Sequence, residues 1–448
     1  MSNYLIKSAT IVNEGEIFVS DVLIKNQRIE KIERSISEPG AIEINAEGLV
    51  LMPGAIDDQV HFREPGLTHK GEIKTEAKAA VAGGVTSYME MPNTNPQSTT
   101  VEELEKKYTR AAECSLANYS FFMGGTNHNL EETLKVDYSK VCGLKIFMGS
   151  STGDMLVDHQ EVLEGFFEKV PALIATHCEY DPLVKENQTR IVAEYGEDIP
   201  AYFHPIIRNE EACYRSSSMA VALAKKYNTR LHVLHISTAK ELSLFDNKLP
   251  LSQKRITAEA CIHHLWFCDE DYKTKGNWIK WNPSVKTAYD RENIFAAVLD
   301  NRIDVIATDH APHTIEEKTQ SYLKAPSGGP LVQHSIQAML DFYHDKKITL
   351  ETIVQKMSHN VAELFRIKER GYIREGYYAD LVLVNLNKPY TVTKENLLYK
   401  CGWSPFEGHT FKNSIEKTFV NGHLVYDGGK FDESKLGQRL LFNNTSNA

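Results

Sequence analysis

Short apolar runs, each followed by a helical stretch, recur eight times between residues 49 and 313, and this repeat constrains the fold most. The runs are 49–52 leading into Ile56, 85–91, 119–123, 143–148, 172–176, 231–234, 255–261 and 303–308. Apolar runs of this length suit strands buried on both faces. The intervening stretches carry helix signals. Residues 73–82 are Ala-rich and end at Gly83-Gly84; Thr100-Val-Glu-Glu103 has capping-box spacing and opens a helix reaching about Cys114; another spans 210–226. Eight strand–helix units in this order predict an α/β chain of the TIM type, a (β/α)8 barrel. A doubly wound open sheet would need a Gly-rich phosphate turn after an early strand, and the sequence has none.

Both ends read as β structure. Short β-rich runs at 11–12, 17–19, 22–24 and Ile29/Ile32 are separated by turn-favouring residues at 13–16 and 25–28. After Leu364 come a strand at 379–384 and a hairpin in which Asn421-Gly422 joins 417–420 to 423–426, a type I′ signature. The expected organisation is a small discontinuous β-domain, residues 1–52 and 365–448, on a barrel of 53–364, with a loosely held end from about Gly437. A net charge of −10 without a Lys/Arg run argues against a nucleic-acid or anionic-membrane surface. Neither a secretory leader nor a membrane span is expected. Seven scattered cysteines without a Cys-x-x-Cys pair read as a reduced, cytoplasmic chain.

Polar residues stand at the C-terminal ends of the strands, where barrel enzymes assemble their sites. Asp57, Gln59 and His61 alternate, which in extended backbone points them the same way, and Arg63 falls beside them. His61, Lys145, His177, His235 and Asp309 would converge at the barrel mouth. Imidazole and carboxylate are ligands expected of a catalytic zinc or a similar divalent ion. Lys145 lies in the apolar run Gly-Leu-Lys-Ile-Phe-Met; a buried lysine loses its proton easily. The neutral amine can take up carbon dioxide as a carbamate, whose two oxygens could bridge two metals.

The chain resembles the dihydroorotases, cyclic amidohydrolases of the metal-dependent amidohydrolase superfamily. The resemblance rests on Pro53-Gly-Ala-Ile-Asp57, His61-Phe-Arg-Glu-Pro-Gly66, Met91-Pro-Asn-Thr94, Gly143-Leu-Lys145, His177, His235-Ile-Ser237, His263-His-Leu265, Asn282-Pro283, Asp309-His-Ala-Pro-His313 and Ser404-Pro-Phe-Glu-Gly408. It implies zinc bridged by carbamylated Lys145, one ion with His177 and His235, the other with His61, Asp309 and position 59. It implies an activated water attacking a ring amide, with Asp309 as general base turned general acid. Closure of N-carbamoyl-aspartate to dihydroorotate in pyrimidine biosynthesis would be the reverse. Arg63, Asn93 and His313 would hold the substrate carboxylate and Asn282 the ring. Two departures stand out. The family's Asp-x-His-x-His reads Asp57-Asp-Gln59-Val-His61 here, and an amide oxygen binds zinc more weakly than imidazole. One tightly bound zinc and a second, weaker one are therefore expected. Residues 327–331 replace a Gly-Leu-Glu-like run. Dihydropyrimidinase or allantoinase activity stays open as an alternative, as does a silent subunit supporting aspartate transcarbamoylase. Partners left open are a second copy in a homodimer and aspartate transcarbamoylase.

Overall fold

The computed structural model describes residues 3–149 and 155–443. Eight parallel strands form a barrel: Ala55–Val60, Val85–Glu90, Asn118–Phe121 continued by Met123–Gly124, Leu144–Phe147, Ile174–His177, Leu231–Val233, Ile256–Cys261 and Val305–Ala307. The barrel closes between its first and last strands. Val60 bridges His310 in parallel register, and the His61 N–H donates to the His310 carbonyl at 2.6 Å. Almost every barrel-strand residue is buried, as expected for a parallel sheet covered by helices. Those helices begin where the sequence signals them. The Thr100 hydroxyl accepts from the Glu103 N–H and opens Val101–Cys114; the Asn209 side chain accepts from the Ala212 N–H and opens Glu210–Tyr227, whose first turn carries Glu210 and Glu211.

The run at 50–52 does not open the barrel. Val50–Pro53 lies in a separate nine-stranded sheet, between Tyr4–Asn13 and Leu381–Asn385. An apolar run buried on both faces carries no signal for which of two sheets it enters. The chain crosses to the barrel at Gly54, where a β-carbon would stand 2.2 Å from the Thr86 side chain. The sheet is built from both ends of the chain, as expected, and the hairpin turn has Asn421 and Gly422 at φ 50° and 73°.

A buried polar network fastens this sheet to the barrel. The Asp380 carboxylate accepts from Arg370, from the Asn421 N–H at 2.7 Å and from the Asn118 amide of the third barrel strand at 3.1 Å. Asn118 Oδ1 in turn accepts from the Asn421 amide and from the Gln438 N–H. The expectation of a loosely held end fails for residues 437–443. Leu440 and Phe442 are buried, and their N–H groups donate to the Tyr119 and Ser139 carbonyls. Removing Asp380 would leave the buried Arg370 guanidinium without its carboxylate. Asp380→Ala is therefore expected to lower stability by about 3–5 kcal/mol in urea unfolding; a loss under about 1 kcal/mol contradicts the network's role.

Candidate active site

The C-terminal ends of the strands surround a cavity of about 220 Å³. Gln59, His61, Arg63, Asn93, Lys145, His177, His235, Asn282, Asp309 and His313 all line it, so every site residue named from the sequence meets at one place. A larger cavity of about 450 Å³ lies beside Trp266, Asp341 and His409 and has none of these groups.

Two pairs of side chains face each other in the smaller cavity. His177 Nδ1 stands 3.0 Å from His235 Nε2. His177 donates its other nitrogen to Glu179 at 2.9 Å, and Glu179 also accepts from Arg208 at 2.7 Å. Burial opposes ionisation of Glu179, but Arg208 and His177 outweigh it and hold the carboxyl well below its usual range. Glu179 therefore keeps the His177 Nδ1 lone pair turned inward. Burial, with the neighbouring Lys145, holds His235 neutral. Its Nδ1 is buried without a partner. Two neutral imidazoles presenting lone pairs at this separation fit ligands of one divalent ion, about 2.0–2.1 Å from each nitrogen.

In the second pair, His61 Nε2 lies 3.1 Å from Asp309 Oδ1, and His61 Nδ1 donates to Asn93 Oδ1 at 2.9 Å. Asn93 thus spends its side-chain oxygen on orienting His61, beyond the substrate contact expected of it. Gln59 is buried and donates its amide to the same Asp309 oxygen at 3.2 Å. Lys145 is buried in its strand; burial is the main cause that lowers its pKa to about 7, against the pull of Asp309 and Glu259. Burial likewise raises Asp309 to about 7, against His177 and Lys145. His235 and Asp309 take left-handed backbone, φ 39° and 46°, and the Asp309 carbonyl accepts from the Trp281 indole at 3.2 Å. Such strain at strand ends is typical of sites held by their surroundings.

Asp57 does not point with Gln59 and His61. A register shift follows it in the strand, and its carboxylate accepts from the Thr308 hydroxyl at 2.6 Å and from the Thr308 and Gln59 N–H groups. It joins the first strand to the eighth and leaves the cavity to the others.

Arg63, at φ 71°, forms the cavity's side wall. Its Nε donates to the Pro312 carbonyl at 3.0 Å and its Nη2 lies 3.0 Å from His313 Nε2. Among the described residues no carboxylate hydrogen-bonds this buried guanidinium. Asn282 Oδ1 is also buried and unpartnered. The 327–331 departure is part of the wall: Ser327 and Gly328 line the cavity, and the Ser327 carbonyl lies 3.0 Å from His313 Nε2.

Sequence reasoning missed the supports. Glu179 stands two residues past His177, a spacing that could have pointed to it, but its partner Arg208 comes from a distant turn. Below the cavity, Asp58, His232 and Glu259 bring three ligand-type atoms within 4.8 Å, an arrangement that could hold a metal ion. Burial would depress His232, yet Asp58 and Glu259 outweigh it and raise it to about 9, so an imidazolium already supplies positive charge between them. Glu259 also accepts the His235 N–H at 2.9 Å.

Residues 50–425 match the Amidohydrolase family. The chain is 30% identical over 412 residues to the dihydroorotase of Halobacterium salinarum, covering 92% of this chain and 94% of that protein. It is 29% identical over 457 residues to an allantoinase of Desulfitobacterium hafniense, covering 98% and 99%. The L-hydantoinase (dihydropyrimidinase) of Arthrobacter aurescens superposes with a TM-score of 0.92 at 24% identity, covering 98% of this chain and all of that one. The chain belongs to the amidohydrolase family, within the metal-dependent amidohydrolase superfamily. More particularly, it is an enzyme of the group that acts on cyclic amides. Among the described residues no helix is long and apolar enough to cross a membrane.

Glu179→Ala frees the His177 ring and leaves Arg208 opposite a void. Retention of divalent metal against a chelator is expected to fall about 10–100-fold, read as metal per chain after dialysis. Unchanged retention contradicts the assignment of Glu179 as the group that orients His177.

Proposed function

We propose that this chain is a dihydroorotase, interconverting dihydroorotate and N-carbamoyl-aspartate in the cytoplasm. Allantoinases match the chain about as well as dihydroorotases do, so the choice rests on Arg63. A buried guanidinium on a cavity wall, without a carboxylate of its own, suits a substrate that brings one, because its planar fork pairs with two carboxylate oxygens. An uncharged dihydrouracil or allantoin ring would leave this charge unanswered. All seven thiols are buried and unpaired, which supports a reducing compartment.

The placement supports the following roles. His177 and His235, with Lys145, would hold zinc, whose ligand preferences their nitrogens meet. When bound, the metal supplies Lewis acidity, polarising the ring amide carbonyl and lowering the pKa of a water. Arg63 and His313 hold the substrate carboxylate. The unpartnered Asn282 oxygen accepts a ring N–H. Asp309, one oxygen of which takes the Gln59 amide, moves a proton at its other oxygen between the attacking water and the ring nitrogen. Lys145 would act as its carbamate: the neutral amine adds to carbon dioxide, forming an N–C bond and releasing one proton.

Arg63→Ala should raise KM for dihydroorotate by roughly tenfold to a hundredfold, the scale of one lost charge-assisted contact, with a smaller change in kcat. An unchanged KM contradicts the carboxylate contact. Carbon-13 NMR of protein equilibrated with labelled bicarbonate should show a carbamate signal that Lys145→Ala removes. Lys145→Ala should also lose metal and turnover, with partial rescue by short carboxylic acids. A metal-loaded, active parent without that signal contradicts the carbamate.

A further inference from the structure

At the end of the barrel opposite the active face, three arginines gather without a counter-ion. Arg230 and Arg255 immediately precede the sixth and seventh barrel strands, and Arg366 follows the helix Asn360–Phe365. All three line one small cleft of about 70 Å³. Their charges act on one another. Burial, then Arg366 and Arg255, lowers Arg230 to about 10, and burial with Arg366 lowers Arg255. Among the described residues none of the three pairs with a carboxylate. Helix capping uses only part of their capacity. Arg230 donates to the Leu364 carbonyl and Arg255 to the Asn228 carbonyl, both at helix C-termini, where a cation is favoured. Each bond takes one N–H of a group that has several. Among the described residues no hydrogen bond holds the Arg366 guanidinium. Lys254 also lines the cleft, but is spent on Asp304 and the Asn301 carbonyl, each at 2.6 Å. Glu363 lines it too; partial burial raises its carboxyl and no guanidinium acts against that, so it answers none of the three.

We propose that this cleft at the barrel base binds a phosphate-type anion, either inorganic phosphate or the phosphoryl end of a small ligand. Three like charges held together repel, and one multiply charged anion answers them all. A phosphoryl group brings about −1.5 to −2 charges and three acceptor oxygens, which guanidinium forks match in pairs. The cleft admits a single such group and not a whole nucleotide, since drug-sized ligands fill clefts of about 300–1,000 Å³. The bound anion ties the entries of two barrel strands to the helix Asn360–Phe365. It therefore acts on stability, by binding the folded chain alone, and stays remote from the reacting groups at the other strand ends.

The test titrates the full chain with inorganic phosphate at constant ionic strength, by calorimetry and by thermal unfolding. Saturable binding and an unfolding midpoint that rises to a plateau are expected, with neither in chloride. Arg63 and a bound metal also attract anions, so substitutions assign the site. Arg230→Gln, Arg255→Gln and Arg366→Gln should each weaken phosphate by about tenfold or more, the scale of a lost charge-assisted contact. Arg63→Ala should leave this binding in place. Arg255 is exposed, so its variant tests the site even where Arg230→Gln fails to fold. Glycerol phosphate separates the two sources: tighter binding than phosphate assigns a phosphoryl-bearing ligand, equal or weaker binding the free anion. Absence of saturable binding would overturn the proposal, as would binding unaltered in Arg255→Gln and Arg366→Gln.

Discussion

Closure of the barrel between its first and eighth strands is the constraint on which the site depends. It brings residues 57–63 against 308–313, segments some 250 positions apart, and does so with three layers of contact. On the outer side the Asp57 carboxylate takes the Thr308 hydroxyl and N–H. In the backbone the His61 N–H meets the His310 carbonyl. On the cavity side Gln59 and His61 meet Asp309. The same seam sets Arg63 against Pro312 and His313. His310 continues it outward through a 2.8 Å contact with Glu76 on the first helix. A shift of register here would scatter the carboxylate, one imidazole and the guanidinium together.

Desolvation decides the chemistry of the groups thus gathered. Lys145 and Asp309 are pushed toward neutrality from opposite sides, each to about 7, because water is excluded and their mutual attraction offsets only part of that cost. The imidazoles are neutral for the same reason, and neutral imidazole is the form that binds metal. Partners outside the cavity then fix geometry: Glu179 for His177, Asn93 for His61, and the Glu259 carboxylate for the His235 backbone. Such outer partners commonly tune a metal site as strongly as some ligands do.

Much of this was legible in the sequence. Short apolar runs ending in His61, His177, His235 and Asp309, with Lys145 inside another, marked both the barrel and its active face, because barrel enzymes gather polar residues where the strands leave the core. Other features depend on contacts that no local pattern records. The run at 50–52 enters the terminal sheet, since apolarity on both faces does not name a sheet. Asp57 leaves the expected alternation at a register shift. Residues 437–443 offer only the short apolar run Leu440-Leu-Phe442, too brief a pattern to announce docking against the barrel. The Gln59 amide donates to Asp309, a residue 250 positions away.

We propose that the buried Arg63 guanidinium selects a cyclic amide bearing a carboxylate. The most direct measurement is kcat/KM of the metal-loaded chain for dihydroorotate against dihydrouracil and allantoin, under identical conditions. A preference for dihydroorotate of roughly a hundredfold or more is predicted, the scale expected when a site built for a charged group meets a substrate lacking it. Equal or faster turnover of either uncharged ring would contradict the claim.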